Sequence, residues 1–336
     1  MKVLFHSEQL NYRGTTNSIL DYAQYNQEIL GNESAIVYDA SNPEGLDVGS
    51  VTSVIDSIKN KFPVYSYTTE TELNNIAEKF DFCYSQRAGL LVDELTQKRN
   101  PLVTSTRFGV HCVFQWYGPH GDVYAYISEW LAQAVSVLYK QPVCPHVPYV
   151  VNLPQPTRTF RDVLGIPNDK FIIGRLGGYA TFDLPFVWDA VKQIADTRDD
   201  IVFVFANTMP FYNHPNIKYV QPFFDAQMKS NYIQTCDAML HGRQLGETFG
   251  LSIAEFLFRN KPVIAWDGGF DRNHVNMLGS HDLLYTKENV LQRILDLPDL
   301  VGKMDYKSIV SPFSPKRVME QFSRVFLDSP PSPASP

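Results

Sequence analysis

Apolar residues along this chain fall into short runs rich in β-branched and aromatic side chains, and these alternate with longer stretches in which apolar positions recur at helical spacing. Residues 2–6 predict a first buried strand, 14–30 the following helix and 34–38 a second strand. Helical or loop pieces come next, with strands predicted at 64–67, 80–85, 102–106 and 124–128. The alternation restarts with a strand at 171–174, a helix at 184–195 and strands at 201–206 and 217–220. A helix at 225–234, a strand at 238–240, a helix at 251–259 and a strand at 263–266 complete it. Strands alternating with helices require crossover connections, and so predict mostly parallel sheets covered on both faces.

Five prolines between 142 and 156 interrupt this order. Proline at that density breaks regular structure and stiffens a connection, so the domain boundary is placed there. The expected domains are 1–150 and 151–312, each Rossmann-like and doubly wound, which suits a chain of 336 residues. Residues 313–328 hold a last amphipathic helix, centred on 314–326. The tail 329–336, Ser-Pro-Pro-Ser-Pro-Ala-Ser-Pro, has too few apolar residues to pack and is expected to be disordered.

Composition narrows the function classes. A net charge of −7 without any Lys/Arg cluster argues against binding nucleic acid by its backbone or an anionic membrane by a basic patch. Cys83, Cys112, Cys144 and Cys236 are widely spaced, with no Cys-x-x-Cys pair, which fits reduced thiols rather than a disulfide framework or a zinc site. The start turns polar too soon for a signal peptide, and no apolar run reaches the length of a bilayer span. The expectation is a cytoplasmic protein with no transmembrane segment.

The stretch 241–266, His-Gly-Arg-Gln-Leu-Gly-Glu-Thr-Phe-Gly-Leu-Ser-Ile-Ala-Glu-Phe-Leu-Phe-Arg-Asn-Lys-Pro-Val-Ile-Ala-Trp, carries the most chemistry. Residues 246–250 read as a loop, so Glu247 sits before the helix and Glu255 inside it. Amides at the first turn, from Thr248, Phe249, Gly250 and Leu251, carry the positive end of the helix dipole and can hold a diphosphate without a metal. Gly250 lets the backbone come close. Glu247 is placed to accept hydrogen bonds from sugar hydroxyls, while Glu255 lies roughly 7–8 Å further along the axis, where the ribose of a nucleoside diphosphate would sit. The plainer alternative makes Glu247 a favourable charge in a first turn and Glu255 a solvated helix residue.

This stretch resembles the Glu-x7-Glu signature of GT-B glycosyltransferases, particularly the retaining family 4 (group 1) type. The resemblance covers most of the chain in order of segments and is strong from about 240 to 266. It implies a GT-B fold, two Rossmann-like domains facing a central cleft, with acceptor bound by the first domain and nucleotide sugar by the second. It also implies that Glu247 contacts the donor sugar, that Glu255 binds the ribose, and that the last helix crosses back onto the first domain. In Ile172-Ile173-Gly174-Arg175-Leu176 the family's Gly-Arg-Leu turn is matched, and Arg175 is expected on the donor phosphate. The family's lysine five or six residues later is missing: Ala180 and Thr181 stand there, and Arg243 is the candidate to compensate.

Residues just past strand ends are the other candidates, because doubly wound sheets bind ligands there. Gly14 and Thr15, in Tyr-Arg-Gly-Thr-Thr, form a turn that either admits a phosphate or acceptor or is simply a turn, with Thr15 or Thr16 as helix cap. His111, expected just after the 102–106 strand, is either structural or, by the resemblance, a group facing the sugar site that assists proton transfer. His6 is its rival. Ser128-Glu129-Trp130 looks like an architectural strand-to-helix element of the family, and 267–274 is expected to border the sugar pocket. Asp122, Asp271 and His274 lack metal-ligand spacing and Cys144 with His146 supplies two ligands only, so no metal and no cofactor is expected.

The reading is therefore a metal-independent, retaining glycosyltransferase of the hexosyltransferase type, with a nucleotide diphosphate sugar as donor and a hydroxyl acceptor as partners. A nucleotide-sugar epimerase of the same fold and a catalytically silent sugar-nucleotide-binding protein are the alternatives. A nicotinamide dehydrogenase is disfavoured, since residues 1–30 lack Gly-x-Gly-x-x-Gly after the first strand.

Overall fold

The computed structural model describes residues 1–41, 49–92, 99–279 and 281–329. Of the tail expected to be disordered, 330–336 lie outside the described residues. The chain divides into two units, Met1–Val150 with the C-terminal segment from Phe313, and Val151–Pro312.

In the first unit, strands β1 (Lys2–Ser7), β2 (Glu33–Asp39), β3 (Val64–Tyr67), β4 (Phe82–Arg87), β5 (Arg107–Cys112) and β6 (Val123–Tyr126) form one sheet in the order β3-β2-β1-β4-β5-β6. Every pairing is parallel. Helices α1 (Gly14–Glu28), α2 (Thr52–Lys59) and α3 (Glu70–Ala77) make the crossovers from β1 to β4, and α4 (Glu129–Tyr139) follows β6. Ser128 caps α4, its hydroxyl accepting from Leu131 N at 3.1 Å.

The second unit repeats the winding. Strands β7 (Phe171–Leu176), β8 (Ile201–Ala206), β9 (Ile217–Val220), β10 (Ala238–Leu240), β12 (Val263–Trp266) and β14 (Leu284–Tyr285) give the order β14-β12-β10-β7-β8-β9, again parallel. A separate parallel pair joins β11 (Gly246–Glu247) to β13 (Asp271–Arg272). The helices are α5 (Arg161–Leu164), α6 (Pro185–Thr197), α7 (Ala226–Thr235), α8 (Leu251–Phe258), α9 (Asn273–Leu278), α10 (Val290–Leu295) and α11 (Leu297–Leu300). Ile253, Ala254, Phe256 and Leu257 of α8 are fully buried, and each large side chain among them contributes about 1.5–3 kcal/mol of burial. Gly174 gives both neighbouring helices room, because a Cβ there would collide with Cys236 Sγ at the end of α7 and come within 3.2 Å of Phe256 Cζ on α8. The strand order reverses between β7 and β10, so the carboxyl ends of these two strands mark the unit's topological switch point.

Helix α12 (Pro315–Phe322) and the π turn Ser323–Leu327 belong to the first unit. Phe322 stacks on Tyr22 with ring centroids 5.2 Å apart, and Phe326 meets Tyr84 edge-on at 5.2 Å.

Two expectations are corrected. Residues 102–106 are not a strand: Asn74 Oδ1 takes the amides of Thr104 (2.8 Å) and Ser105 (3.1 Å), tying that segment to α3 instead of a neighbouring strand. The strand is β5, five residues later. Residues 246–250 are not all loop, since Gly246 and Glu247 pair with Asp271 and Arg272.

Candidate functional site at the tip of helix α8

At the switch point of the second unit, the chain leaves β10 at His241 and enters α8 at Leu251. Gly246 (φ +79°) lies so close to β13 that a Cβ would strike the carbonyl oxygen of Asp271, and His274 Cε1 would be 2.8 Å from it. Glycine is therefore required for the β11–β13 pairing that positions Glu247. Gly250 precedes α8 in the left-handed region (φ +90°), and as a glycine it supplies no side-chain cap of its own. A Cβ at Gly250 would meet nothing nearer than 3.5 Å, so its glycine is needed for conformation, not space. The first turn of α8 thus presents its amides at the carboxyl edge of the sheet, the geometry that receives anions.

Glu247 is held from both sides. His241 Nε2 is 3.1 Å from Oε1, Arg243 Nη1 is 3.1 Å from Oε2, and the Glu247 amide donates to His274 Nδ1 at 3.3 Å. Burial pushes the carboxyl pKa up, but the His241 hydrogen bond and the charge of Arg243, the two largest opposing causes, outweigh it and hold it at about 2. Because His274 Nδ1 accepts from an amide, its proton is on Nε2, which donates to Trp266 O at 2.8 Å. Burial, with the nearby His241, lowers its pKa to about 4 and keeps it neutral. His241 and His274 ring centroids are 5.3 Å apart. Since the carboxylate only accepts, His241 carries a proton on Nε2, and its buried Nδ1 has no hydrogen-bond partner among the described residues.

Glu255 is 5% exposed, which rules out the solvated reading. Its Oε1 takes a short contact from the ammonium of Lys229, on α7. The residue pattern gave no signal for this lysine, because its position matters only once α7 packs beside α8.

Arg175, expected on the donor phosphate, is placed differently. Nη1 donates to Asn207 O (3.0 Å) and Thr208 Oγ1 (2.6 Å), and Nη2 to Gly178 O (2.9 Å) and Thr181 Oγ1 (2.7 Å). All four terminal N–H groups are therefore bonded to the protein's own oxygens, in a turn stacked beneath Phe182, whose ring centroid is 5.6 Å from Cζ. Thr181, one of the two positions where the resemblance expects a lysine, is a partner of this arginine.

His111 is also corrected. It lies inside β5, not beyond a strand end, and is fully buried. Tyr84 OH accepts from Gln86 Nε2 at 3.1 Å and shares a hydrogen bond with His111 Nδ1 at 2.6 Å. Burial lowers the imidazole pKa to about 3, and Phe326 closes over it at 5.3 Å. His6 is equally enclosed, between Ser85 Oγ (2.6 Å) and Tyr67 OH (2.8 Å). Gly14 begins α1 exposed, with open space around it, and Thr15 is half-buried beside it. Neither Thr15 nor Thr16 caps α1; Arg13 stands at the cap position without a side-chain cap bond, and Thr16 Oγ1 accepts from Asn11 N at 3.2 Å.

An open groove of about 670 Å³ adjoins the Glu247 loop, lined by Leu184, Pro185, Phe186, Gln244, Leu245, Trp266 and Gly269. Asp267, in the segment expected to border a sugar pocket, is ion-paired to Arg272 at 2.9 Å. Among the described residues no group of three or more His, Cys, Asp or Glu side chains is placed to hold a metal ion. No described helix is long and apolar enough to cross a membrane.

No protein-family model and no curated protein sequence matches the chain. Solved structures do. HepE of Anabaena, in complex with UDP and glucose, superposes with a TM-score of 0.73 at 13% identity, covering 98% of this chain and 100% of that one. A glycosyltransferase of Rickettsia africae gives 0.68 at 14% identity, covering 98% and 99%. Sucrose-phosphate synthase of Thermosynechococcus elongatus gives 0.63 at 12% identity, covering 97% and 98%. The fold is GT-B. At these identities the likeness is one of architecture, two six-stranded parallel sheets of the same winding.

Proposed function

We propose that the protein is a glycosyltransferase that moves a sugar from a nucleoside diphosphate sugar to a hydroxyl acceptor, retaining configuration and without a metal. One observation carries this reading: the glycine-led tip of α8 at the switch point of its sheet, flanked by a Glu247 held ionised and a Glu255 buried one turn on. In this reading the amides from Thr248, Phe249, Gly250 and Leu251 take the diphosphate, Glu247 orients the sugar through its hydroxyls, and Glu255 accepts from the ribose. The bond from the anomeric carbon to phosphate oxygen breaks, one to the acceptor oxygen forms on the same face, and the acceptor proton passes to the departing diphosphate. Charge on that diphosphate is met by the helix tip and Arg243. Arg175 shapes the 177–181 turn in this scheme, and His111 takes no part. Gly14 and Thr15 remain the candidate acceptor turn of the first unit.

Glu247→Ala is expected to lower sugar transfer roughly 100-fold or more, on the scale of losing one preorganised group at a reacting centre. Parent-like turnover in that variant would remove Glu247 from the site. A second reading, a nucleotide-sugar epimerase, is kept because an enzyme so described from Listeria monocytogenes also shares the fold, with a TM-score of 0.57 at 14% identity. Incubating the donor alone separates the two: conversion of the sugar without an acceptor favours the epimerase. A third, a silent sugar-nucleotide-binding protein, draws on the absent lysine and the internally bonded Arg175; it would bind nucleotide without any turnover.

A further inference from the structure

We propose that Lys229 is a positioning residue that sets Glu255 to recognise the vicinal diol of a ribose. This rests on the reading of the α8 tip as a nucleoside diphosphate site. Asp225 caps α7, accepting from Met228 N at 2.7 Å, and the Lys229 amide bonds Asp225 O at 3.0 Å, which fixes where the lysine stem leaves the helix. Its ammonium reaches Oε1 of Glu255 with the two side chains 11% and 6% exposed. Oε2 of Glu255 makes no hydrogen bond to any described residue.

Such a pair is a poor way to join two helices, because apolar residues of similar volume hold buried contacts equally well or better. Helices α7 and α8 already have that apolar contact, with Tyr232 edge-on to Phe256 at 6.3 Å and Ile233, Ile253 and Leu257 fully buried. What the pair adds is an oriented acceptor. A carboxylate offers about four lone-pair positions and no donor, so one ammonium on Oε1 fixes the plane and leaves Oε2 for hydroxyl donors. The orientation is set before the ligand arrives, which removes an ordering cost from binding. Lysine thereby discriminates ribose from deoxyribose through its neighbour, without touching the sugar itself.

The test uses the full chain. Thermal shift with UDP, GDP and ADP first identifies a bound nucleotide; if none stabilises the wild type, the nucleotide reading fails and Lys229 with it. With the nucleotide that binds, calorimetry then compares the ribonucleotide with its 2′,3′-dideoxy form. Wild type is expected to prefer the ribonucleotide by about 10–100-fold, the range for hydroxyls bonded to a charged group. Lys229→Met should bring that ratio below about threefold while leaving dideoxynucleotide affinity within about threefold of wild type, an outcome general destabilisation does not produce. Lys229→Arg, which keeps the charge but presents it as a planar fork, should give an intermediate ratio and serves if the methionine variant does not fold. A wild type that binds nucleotide without discriminating, or a folded variant of either kind with the wild-type ratio, overturns the proposal.

Discussion

At the scale of single residues, Glu247 shows how a half-buried acid is kept charged. Its two oxygens face His241 and Arg243, each at 3.1 Å, and its pKa falls from 4.5 to about 2 against the upward push of burial. A depressed carboxylate contributes stability that is present above the unfolded pKa and is lost as pH falls through the folded one. The window is therefore from about pH 4.5 down to about pH 2, and the contribution is on the order of 3 kcal/mol. Denaturant unfolding across that window should show this loss in wild type and a shallower one in Glu247→Gln; identical slopes would mean the carboxylate is not the titrating group. His241→Phe removes the hydrogen bond that lowers the carboxyl most, so the acid limb of the turnover profile should move toward neutral pH. An unmoved limb would place the control of Glu247 elsewhere. The two acids were legible from their spacing around a helix start, whereas the groups that tune them were not. Lys229 comes from another helix, and the sequence alone could not tell that Arg175 would turn its four terminal N–H groups onto Asn207, Thr208, Gly178 and Thr181.

At the scale of elements, two glycines four residues apart in the same loop should behave differently. Gly246 has both a positive φ and no room, with Asp271 O standing where a Cβ would go, while Gly250 has a positive φ and room for a Cβ. Gly250→Ala should cost about 1–2 kcal/mol, the strain of a left-handed alanine. Gly246→Ala must in addition break the β11–β13 pairing, so it should lower the melting temperature further and displace Glu247, weakening donor binding more than its neighbour does. Equal effects in melting and in nucleotide affinity would show that β11–β13 does not position the acid. The same elements show where pattern reading works. Runs of Val, Ile and Phe such as Ile201–Ala206 announce buried parallel strands directly. Strand β5, Arg-Phe-Gly-Val-His-Cys, does not, because Gly109 must be bare for Phe82 and Phe326 to close over it, and glycine and histidine weaken the β signal. The preceding Leu-Val-Thr-Ser-Thr reads more like a strand, yet its polar backbone is claimed by Asn74. A two-residue strand such as β11 is below the length any periodicity can register.

For the molecule as a whole, the distribution of buried histidines sets its response to acid. The first unit encloses His6 and His111, the former well below its usual pKa and the latter at about 3, both chiefly through burial, and half-buried His120 is lowered to about 4 for the same reason. Among the described histidines of the second unit, the one lowered is His274, at about 4. A histidine buried neutral binds its proton more readily when unfolded, so between the folded pKa and about 6.5 the unfolded state holds more protons and stability falls as pH falls. Each fully enclosed ring contributes about 1.4 kcal/mol per pH unit within that window. The first unit should therefore lose more than the second between pH 7.5 and pH 5. Hydrogen exchange resolved by peptide and corrected for intrinsic rates reads this directly: β1, β4 and β5 are expected to lose more protection than β7 and β8. His111→Gln keeps a hydrogen-bond partner for the Tyr84 hydroxyl while abolishing the titration, and should recover part of the first unit's protection at pH 5. Equal losses in the two units, or no recovery in that variant, would show that these imidazoles are not what couples the fold to pH.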